Sequence, residues 1–248
     1  MTTRLARPTR PDRRHAADPC ATCGARLVSV CNAIADADLA RLASIAVVTE
    51  VSAGQCFIDE GEPAAAFFNV TAGSAKLFKL LPDGRRQITG FVGPGHFLGI
   101  AVSDTYAFSA EAIVPVRYCR FDRGKLRALL DDFPLMEKRL LEVAANELVA
   151  AQEQMLLLGR KTARERLASF LLSQSRQGLP CGHMRGRFTL PMTRNDIADY
   201  LGLTMETVSR TLTRLRNEGL IEIAVQSDVL VNNPRGLEEL AGGLPARI

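Results

Sequence analysis

The segment 192–219, MTRNDIADYLGLTMETVSRTLTRLRNEG, restricts the fold of this chain more than any other feature. Thr193 can cap a first helix, and Asp196 follows at the position where a capping box has its acidic partner. Gly202 can supply a sharp turn, and Thr204 can cap a second helix directly after it. Two capped helices joined through a glycine predict a helix-turn-helix.

The second helix carries one apolar face and one polar face. The apolar side chains recur at helical spacing and predict packing against the first helix: Val208, Leu212 and Leu215. The polar face begins near the helix N-terminus, the end that meets base edges when a helix enters the major groove. On this face an arginine can pair with guanine, a glutamate can accept from cytosine, and a serine can contact a base or a phosphate. The arginines further along the helix are better placed to contact the DNA backbone. The expected DNA-binding residues are Thr193, Thr204, Glu206, Ser209, Arg210, Arg214 and Arg216.

Four cysteines predict a metal site at the other end of the chain. Cys20, Cys23 and Cys31 lie in one short run, and Cys119 lies far downstream. Thiolates are the ligands that iron–sulfur clusters prefer, and four of them complete a 4Fe–4S cluster. The same set could enclose zinc, although such zinc sites usually contain two Cys-x2-Cys hairpins and this chain has only one. The spacing favours the cluster, and zinc remains the alternative.

The remaining chemistry-bearing residues form no recognisable site. Cys56 and Cys181 have no neighbouring cysteine, so we do not expect them to be ligands. His15, His96 and His183 are scattered and have no ligand spacing. The sequence contains no nucleophile elbow, P-loop or HExxH pattern, so we expect no enzyme.

Composition and charge point to an ordinary globular protein with a basic C-terminal part. The chain has 248 residues, which is enough for two domains, and 47% of them are hydrophobic. The apolar runs are shorter than the ~18–20 residues of a membrane span, and no apolar region follows the arginines of residues 1–19 as in a signal peptide. We therefore expect a cytoplasmic protein with no membrane partner, with residues 1–19 disordered. Residues 160–248 carry thirteen basic and nine acidic side chains, as in a nucleic-acid-binding domain.

The middle of the chain changes from strands to a long helix. Residues 47–122 contain eight glycines between short apolar stretches, which predicts an antiparallel sandwich or barrel after a short helix at 36–45. Residues 133–159 are helical in pattern, with an apolar heptad that predicts a homodimer seam rather than packing within one domain. The seam residues are Leu141, Ala144, Leu148, Ala151, Met155 and Leu158. Because these positions carry no charge, we expect the protein to stay dimeric even without a cluster.

A helix at 162–175, a polar connector at 177–187 and a wing complete the pattern. The wing is a β-hairpin of residues 220–225 and 229–232 around a Ser-Asp turn. We therefore predict an α+β chain with four parts: a basic tail (1–19), a cysteine segment with a β-sheet sensor domain (20–130), a dimerisation helix (131–160) and a winged helix-turn-helix domain (161–248).

These features together resemble the CRP/FNR family of bacterial transcription regulators, and within it the oxygen-sensing FNR-type branch. The most specific matches are the segments LPMTRNDIADYLGLTMETVSRTL and MLLLGRKTARERLASFLL and the cysteine arrangement. The resemblance implies a β-roll of the cyclic-nucleotide-binding type, a long dimerisation helix and a winged helix. It also implies RNA polymerase as a partner, with a contact surface near residues 83–87.

The resemblance further implies roles for particular residues. Glu206, Ser209 and Arg210 match the E-x-x-S-R positions of the FNR-type recognition helix, which implies palindromes with TTGAT-like half-sites. The three N-terminal cysteines match a Cys-x2-Cys-x7-Cys variant, and Cys119 stands where those proteins have their fourth ligand. A 4Fe–4S cluster that forms without oxygen and is degraded by it would then control DNA binding. A redox-insensitive regulator with a zinc or empty cysteine site is the alternative, and a cluster carrier would need no recognition helix.

The β-roll lacks the residues with which cAMP-binding members of this family hold the nucleotide. Family members that bind cAMP have a Gly-Glu-x-x-Gly turn and an Arg-Ser pair, whereas this chain reads Gly-His-Phe-Leu-Gly at 95–99, and Phe108 precedes Ser109. Without the arginine, the cyclic phosphate would lose its bidentate partner. We therefore expect that no cyclic nucleotide binds.

Overall fold

The computed structural model describes residues 20–100, 103–177, 186–224 and 228–242. The predicted disordered tail, Cys181, two of the histidines and Ser227 of the predicted wing turn lie outside these residues. Within the described ranges, no helix combines the length and apolar content that crossing a bilayer requires.

Eight strands form a β-roll of two antiparallel sheets. One sheet has the order β1-β8-β3-β6 and the other β2-β7-β4-β5. The strands are β1 (Ala46–Val51), β2 (Cys56–Ile58), β3 (Ala66–Ala72), β4 (Ala75–Leu80), β5 (Arg86–Val92), β6 (Phe97–Leu98), β7 (Ser109–Ala112) and β8 (Val116–Asp122). The strand prediction from glycine-punctuated apolar stretches is confirmed.

Aromatic side chains fill the interior of the β-roll. The rings of Phe57 and Tyr118 stack with centroids 4.9 Å apart, and Phe68 meets the Tyr118 ring edge-on at 5.4 Å. The hydroxyl of Tyr106 donates to the carbonyl of Ala66 at 2.9 Å, so this polar group is satisfied although it is buried. The interior is therefore a packed core.

A short helical region precedes the roll and two helices follow it. Three 3-10 turns (Arg26–Val28, Val30–Ala33 and Asp36–Asp38) lead into α1 (Leu39–Ile45). The predicted helix at 36–45 thus begins as a 3-10 turn. Helix α2 (Arg123–Leu130) follows β8 and is capped by Asp122, whose side chain accepts from the backbone N–H of Lys125.

The longest helix, α3, covers Pro134–Arg160. Its 27 residues span about 40 Å at the rise of an α-helix. Proline occupies its first turn, where the missing N–H costs nothing. The extended backbone of Lys161 ends the helix, and α4 (Ala163–Gln177) begins after it.

The C-terminal domain is a winged helix-turn-helix. It contains β9 (Arg187–Thr189), α5 (Arg194–Leu201), α6 (Met205–Asn217), β10 (Ile221–Ile223), β11 (Asp228–Val231) and α7 (Pro234–Leu240). The wing is a three-stranded sheet of order β10-β11-β9, one strand more than the predicted hairpin. Strand β9 begins at Arg187, the last residue of the predicted polar connector, and its Phe188 is buried opposite Val229. The predicted α+β fold class, with β-roll, long helix and winged helix, is confirmed.

Candidate thiol site and DNA-binding surface

Three of the four singled-out cysteines are buried and the fourth is half-buried. Cys20, Cys31 and Cys119 have 8%, 7% and 8% of their surface exposed, and Cys23 is intermediate. Cys119 lies in the middle of β8, opposite Val48 of β1 on one side and Asn69 of β3 on the other. The sheet therefore holds Cys119 in place, while the other three come from the loop that precedes α1.

Short-range hydrogen bonds shape the cysteine loop. The carbonyl of Cys20 accepts from the N–H of Cys23 at 3.4 Å, and the carbonyl of Cys23 accepts from the N–H of Arg26 at 3.1 Å. The hydroxyl of Ser29 accepts from the N–H of Cys31 at 3.2 Å and caps the 3-10 turn that carries Cys31. These turns direct the cysteine-bearing segment back toward the sheet.

The electrostatics of the thiols indicate that all four cysteines lie close together. The pKa of Cys119 is raised to about 12, mostly by burial and then by the neighbouring Cys20, Cys31 and Cys23 in that order. Burial also raises the pKa of Cys31. In the absence of a metal the thiols of Cys31 and Cys119 therefore hold their protons at neutral pH, and binding to a metal would release those protons. Although the cysteines are neighbours, the described residues do not bring three or more His, Cys, Asp or Glu side chains into a geometry that could hold a metal ion.

The thiol site lies in an apolar environment that reaches the long helix. Cys20, Cys31 and Cys119 belong to one buried cluster with side chains from β6, β8, α1, α2 and α3. From α3 the cluster takes Met136, which is fully buried in the first turns of that helix. A change in the cysteine loop would therefore act directly on the N-terminal end of α3. Cys56, by contrast, is exposed on β2.

The helix-turn-helix has the caps that its sequence indicated. Thr193 and Asp196 form a complete capping box at the start of α5. Gly202 ends α5 in the left-handed region at φ +62°, where glycine carries no Cβ penalty. The side chain of Thr204 accepts from the N–H of Thr207 and caps α6. Both threonines therefore use their side chains within the protein, and any DNA contact from them would add to that role.

Helix α6 buries its apolar face and exposes its polar one. Val208, Leu212 and Leu215 are at most 2% exposed. On the opposite face, Glu206 and Arg210 form an ion pair across one helical turn, with 68% and 78% of their side chains exposed. This exposed pair contributes little stability, so DNA can separate it at low cost.

The other predicted DNA-binding residues also lie on the solvent side of α6. Ser209 and Arg216 are exposed. Arg214 donates to Glu218 at 3.0 Å with 66% of its side chain exposed.

A small cavity beside α6 adds a residue that the sequence did not suggest. The cavity, about 210 Å³ in volume, is lined by Arg194, Ser209, Leu212, Thr213, Arg216 and Ile223. Arg194 is half-buried at the start of α5, and burial lowers its pKa. Arg194 of α5 and Arg216 of α6 line this one cavity, so two cationic side chains share it next to the recognition face. Helical periodicity within one helix could not have found this pair.

The exposed apolar stripe of α3 is broader than the predicted seam. Leu141, Leu148 and Met155 are 67%, 60% and 70% exposed, and the stripe also contains Val149 and Leu156, each 51% exposed. Ala151 is exposed, whereas Ala144 is half-buried. Leu158 is also half-buried and packs against the core of the DNA-binding domain. The outward face is thus rotated from the heptad toward Val149 and Leu156.

Comparison with known proteins identifies the family. Residues 165–240 match the Crp-like helix-turn-helix domain, and residues 48–133 match the cyclic nucleotide-binding domain. The chain is 40% identical over 222 residues to the nitrogen fixation regulation protein FixK of Bradyrhizobium diazoefficiens, which covers 90% of this chain and 93% of that protein. It is 38% identical over 235 residues to the transcriptional activator protein FnrL of Cereibacter sphaeroides, which covers 91% and 95%.

The chain belongs to the CRP/FNR family of transcription regulators. The structure of FixK2 from Bradyrhizobium japonicum is 35% identical and superposes with a TM-score of 0.75 over 81% of this chain and all of that one. A DNA-binding CRP/FNR regulator is consistent with the capped helix-turn-helix, and the relatives are regulators, not enzymes.

The CRP/FNR fold here includes a buried ionic contact between the β-roll and the DNA-binding domain. Lys76 of β4 is 7% exposed, and its Nζ lies 2.9 Å from Asp196 of α5 and 2.9 Å from Glu111 of β7. Arg86 donates to Asp199 at 2.9 Å. Burial opposes ionisation of Asp196, but hydrogen bonds from Thr193 and Lys76 outweigh it and lower its pKa. One carboxylate thus serves both as helix cap and as interdomain partner.

This contact between β5 and α5 also involves two residues of the segment 83–87, where we expected a surface for RNA polymerase. The side chain of Gln87 donates to the carbonyl of Asp199 at 2.7 Å, and Arg86 is engaged with the same helix. These two side chains are engaged because β5 packs on α5, and the RNA polymerase contact stays a prediction. The hairpin tip before them is exposed, with Asp83 paired to Arg85.

Proposed function

We propose that this protein is an oxygen-responsive transcription regulator that binds a 4Fe–4S cluster through Cys20, Cys23, Cys31 and Cys119. As a homodimer it would bind palindromes with TTGAT-like half-sites. The observation that carries the proposal is that Cys119 of β8 lies in one buried cluster with Cys20 and Cys31, and all three N-terminal cysteines raise its pKa.

The donor set and its surroundings fit such a cluster. Three of the four thiols lie in one buried cluster and the fourth, Cys23, is close enough to act on Cys119, and thiolate is the ligand that iron–sulfur clusters take. When bound, the cluster would supply the reactivity toward oxygen. The chain's own residues supply an apolar enclosure, with Phe97 and Phe121 in the same buried cluster as Cys20, Cys31 and Cys119. Low solvent access of this kind controls how readily a cluster is attacked.

The structure also suggests how the site could influence the DNA-binding domain. Cys31 and Met136 share one apolar cluster, so ordering the cysteine loop stabilises the start of α3. The far end of α3 is tied to the helix-turn-helix: Arg166 donates to the carbonyl of Leu158 and to that of Leu201, each at 2.8 Å. A ligand that favours one arrangement of α3 would therefore bias the position of the recognition helix.

Dimerisation and DNA binding depend on each other in this proposal. The apolar stripe of α3 is a large exposed patch in one chain, and such patches mark association surfaces. Two copies joined along α3 would present two recognition helices, which have to lie about one DNA turn, ~34 Å, apart to read both half-sites. Because the stripe contains no charged residue, we propose that the cluster-free protein stays dimeric and that its DNA-domain geometry changes.

The proposal includes no cyclic nucleotide. The aromatic core between the sheets leaves its interior filled by Phe57, Phe68 and Tyr118. At Gly95, a Cβ would lie 2.7 Å from the side chain of Val28, so the cysteine loop packs directly on the 95–99 turn. The partners are instead double-stranded DNA and, through the exposed hairpin tip, RNA polymerase.

The test is an absorption spectrum with iron and sulfide analysis on protein purified without oxygen and then exposed to air. We expect a visible band that bleaches in air, with about four irons per chain. Fluorescence anisotropy on a TTGAT palindrome before and after air exposure should show loss of specific binding.

Two cysteine variants serve as matched controls. Cys119→Ala should bind no stable cluster, whereas Cys56→Ser, which changes an exposed cysteine, should behave as the wild type. A colourless protein that contains zinc or no metal, and that binds the palindrome equally in air, would refute the oxygen-sensing proposal and leave a redox-insensitive regulator.

A further inference from the structure

Asn69 is a polar residue in a position where β-strands carry apolar ones. It lies in the middle of β3, is 1% exposed and stands opposite Cys119 in the register of β3 with β8. Its neighbours Phe68 and Val70 point into the aromatic core, so Asn69 points to the other face of the sheet, where the cysteines lie.

The amide of Asn69 is only partly satisfied by the protein. Its Nδ2 donates to Sγ of Cys31 at 3.7 Å. Its Oδ1 is buried and has no hydrogen-bond partner among the described residues. A neutral thiol is a weak acceptor, and an unpaired buried carbonyl is unfavourable, so this arrangement does not stabilise the cluster-free protein.

The same geometry becomes favourable when Cys31 is a ligand. A metal-bound sulfur is a thiolate, and a hydrogen bond to a charged acceptor is roughly twice as strong as one between neutral groups. Hydrogen bonds to ligand sulfurs orient them and change the reduction potential of the cluster. Asn69 belongs to the sheet that also holds Cys119, so one rigid element would align two of the four ligands.

We propose that Asn69 is a positioning residue for the cysteine site, whose amide N–H donates to the thiolate of Cys31 and stabilises the cluster-bound protein. This inference rests on the proposed function, because it needs a cluster at the four cysteines. It assigns the residue a role in retaining the cluster and in setting its potential. Asn69 does not replace any of the four ligands.

The experiment compares full-length wild-type protein with Asn69→Leu and Asn69→Val, each reconstituted with iron and sulfide without oxygen. Both substitutions remove the donor and introduce an apolar side chain that suits a buried strand position. If one variant fails to fold, the other still tests the inference. Thr71→Val is the matched control: it lies on the same strand and loses the hydrogen bond from Thr71 to the carbonyl of Arg117 at 3.0 Å. Measurements are iron retention against a chelator, reduction potential, and thermal unfolding of the cluster-free protein.

We expect the Asn69 variants to lose iron to the chelator at roughly 10–100-fold lower concentration than wild type, as for other partners of metal ligands. Their reduction potential should fall, because a donor to sulfur is removed. Their cluster-free unfolding temperature should stay equal or rise, because a half-satisfied buried amide is gone. Thr71→Val should leave iron retention and potential unchanged.

The outcomes separate this inference from the proposed function. A wild-type protein that binds no iron refutes the proposed function and this inference with it. A wild-type cluster that the Asn69 variants retain equally, at the same potential, overturns the inference alone. A lower unfolding temperature of the cluster-free variants, with unchanged potential, would show that Asn69 is a structural residue only.

Discussion

Replacing Lys76 by methionine tests how firmly the β-roll holds the DNA-binding domain. Methionine preserves most of the apolar stem of lysine and removes the ammonium group that lies 2.9 Å from Asp196 and 2.9 Å from Glu111. Only 9% of the Lys76 side chain and 5% of the Asp196 side chain are exposed. The substitution therefore leaves a carboxylate buried between two domains with less charge compensation.

The structure sets the expected size of the effect. Removing one partner of a buried ion pair costs about 3–5 kcal/mol, since the remaining charge stays desolvated. Asp196 also accepts from Arg86 at 3.1 Å and from Thr193, so it keeps part of its compensation. We therefore expect a loss near the lower end, about 3 kcal/mol, in the free energy of unfolding.

Urea denaturation of the reduced, cluster-free protein, followed by far-ultraviolet circular dichroism, measures this loss. Asp196→Asn and the double variant complete a mutant cycle, and the Lys76–Asp196 coupling should account for most of the loss. Lys79→Met is the matched control, because Lys79 lies on the same strand but 49% exposed, paired with Glu60. That pair should contribute at most ~1 kcal/mol. Equal losses for Lys76→Met and Lys79→Met would refute the view that the buried contact fastens the two domains.

Four further predictions follow from the DNA surface, the seam and the cap. Arg210→Ala should weaken binding to the TTGAT palindrome by roughly 1–3 kcal/mol and relax base preference in anisotropy titrations; an equal loss on every DNA sequence would contradict its role. Arg216→Ala should reduce the slope of log affinity against log salt by about 1, and an unchanged slope would argue against a phosphate contact. Leu148→Glu brings like charges together across the α3 stripe, so sedimentation should give monomers, and a persisting dimer would exclude that seam. The pKa of Asp196 is lowered in the folded protein, so its carboxylate stabilises the folded state. This contribution should be complete above the usual aspartate pKa of about 4 and should disappear as pH falls through the folded-state pKa. Urea titrations at a series of pH values should show this loss for the wild type and not for Asp196→Asn.

Features that depend on a few consecutive residues were readable from the sequence. The caps at Thr193 and Thr204 and the turn at Gly202 need only local backbone geometry, so their positions in the sequence were sufficient to find them. The glycine-punctuated strands and the long helix followed from periodicity for the same reason.

Features that depend on packing between elements were not readable in the same way. Strand β9 begins where the predicted polar connector ends, and only the burial of its Phe188 opposite Val229 makes it a third wing strand. The apolar face of α3 could be predicted as a heptad, but its rotation toward Val149 and Leu156 depends on where Leu158 meets the DNA-binding domain.

The sequence by itself determined the family, the helix-turn-helix with its polar recognition face, and the four cysteines as a candidate ligand set. Only the tertiary structure brought Cys119 to the N-terminal cysteines, pointed Asn69 at Cys31, and made Asp196 a partner of Lys76. The physical reason is distance along the chain. Caps and helical faces are set by neighbours a few residues apart, whereas these contacts join distant segments through sheet register and domain packing, which no local pattern encodes.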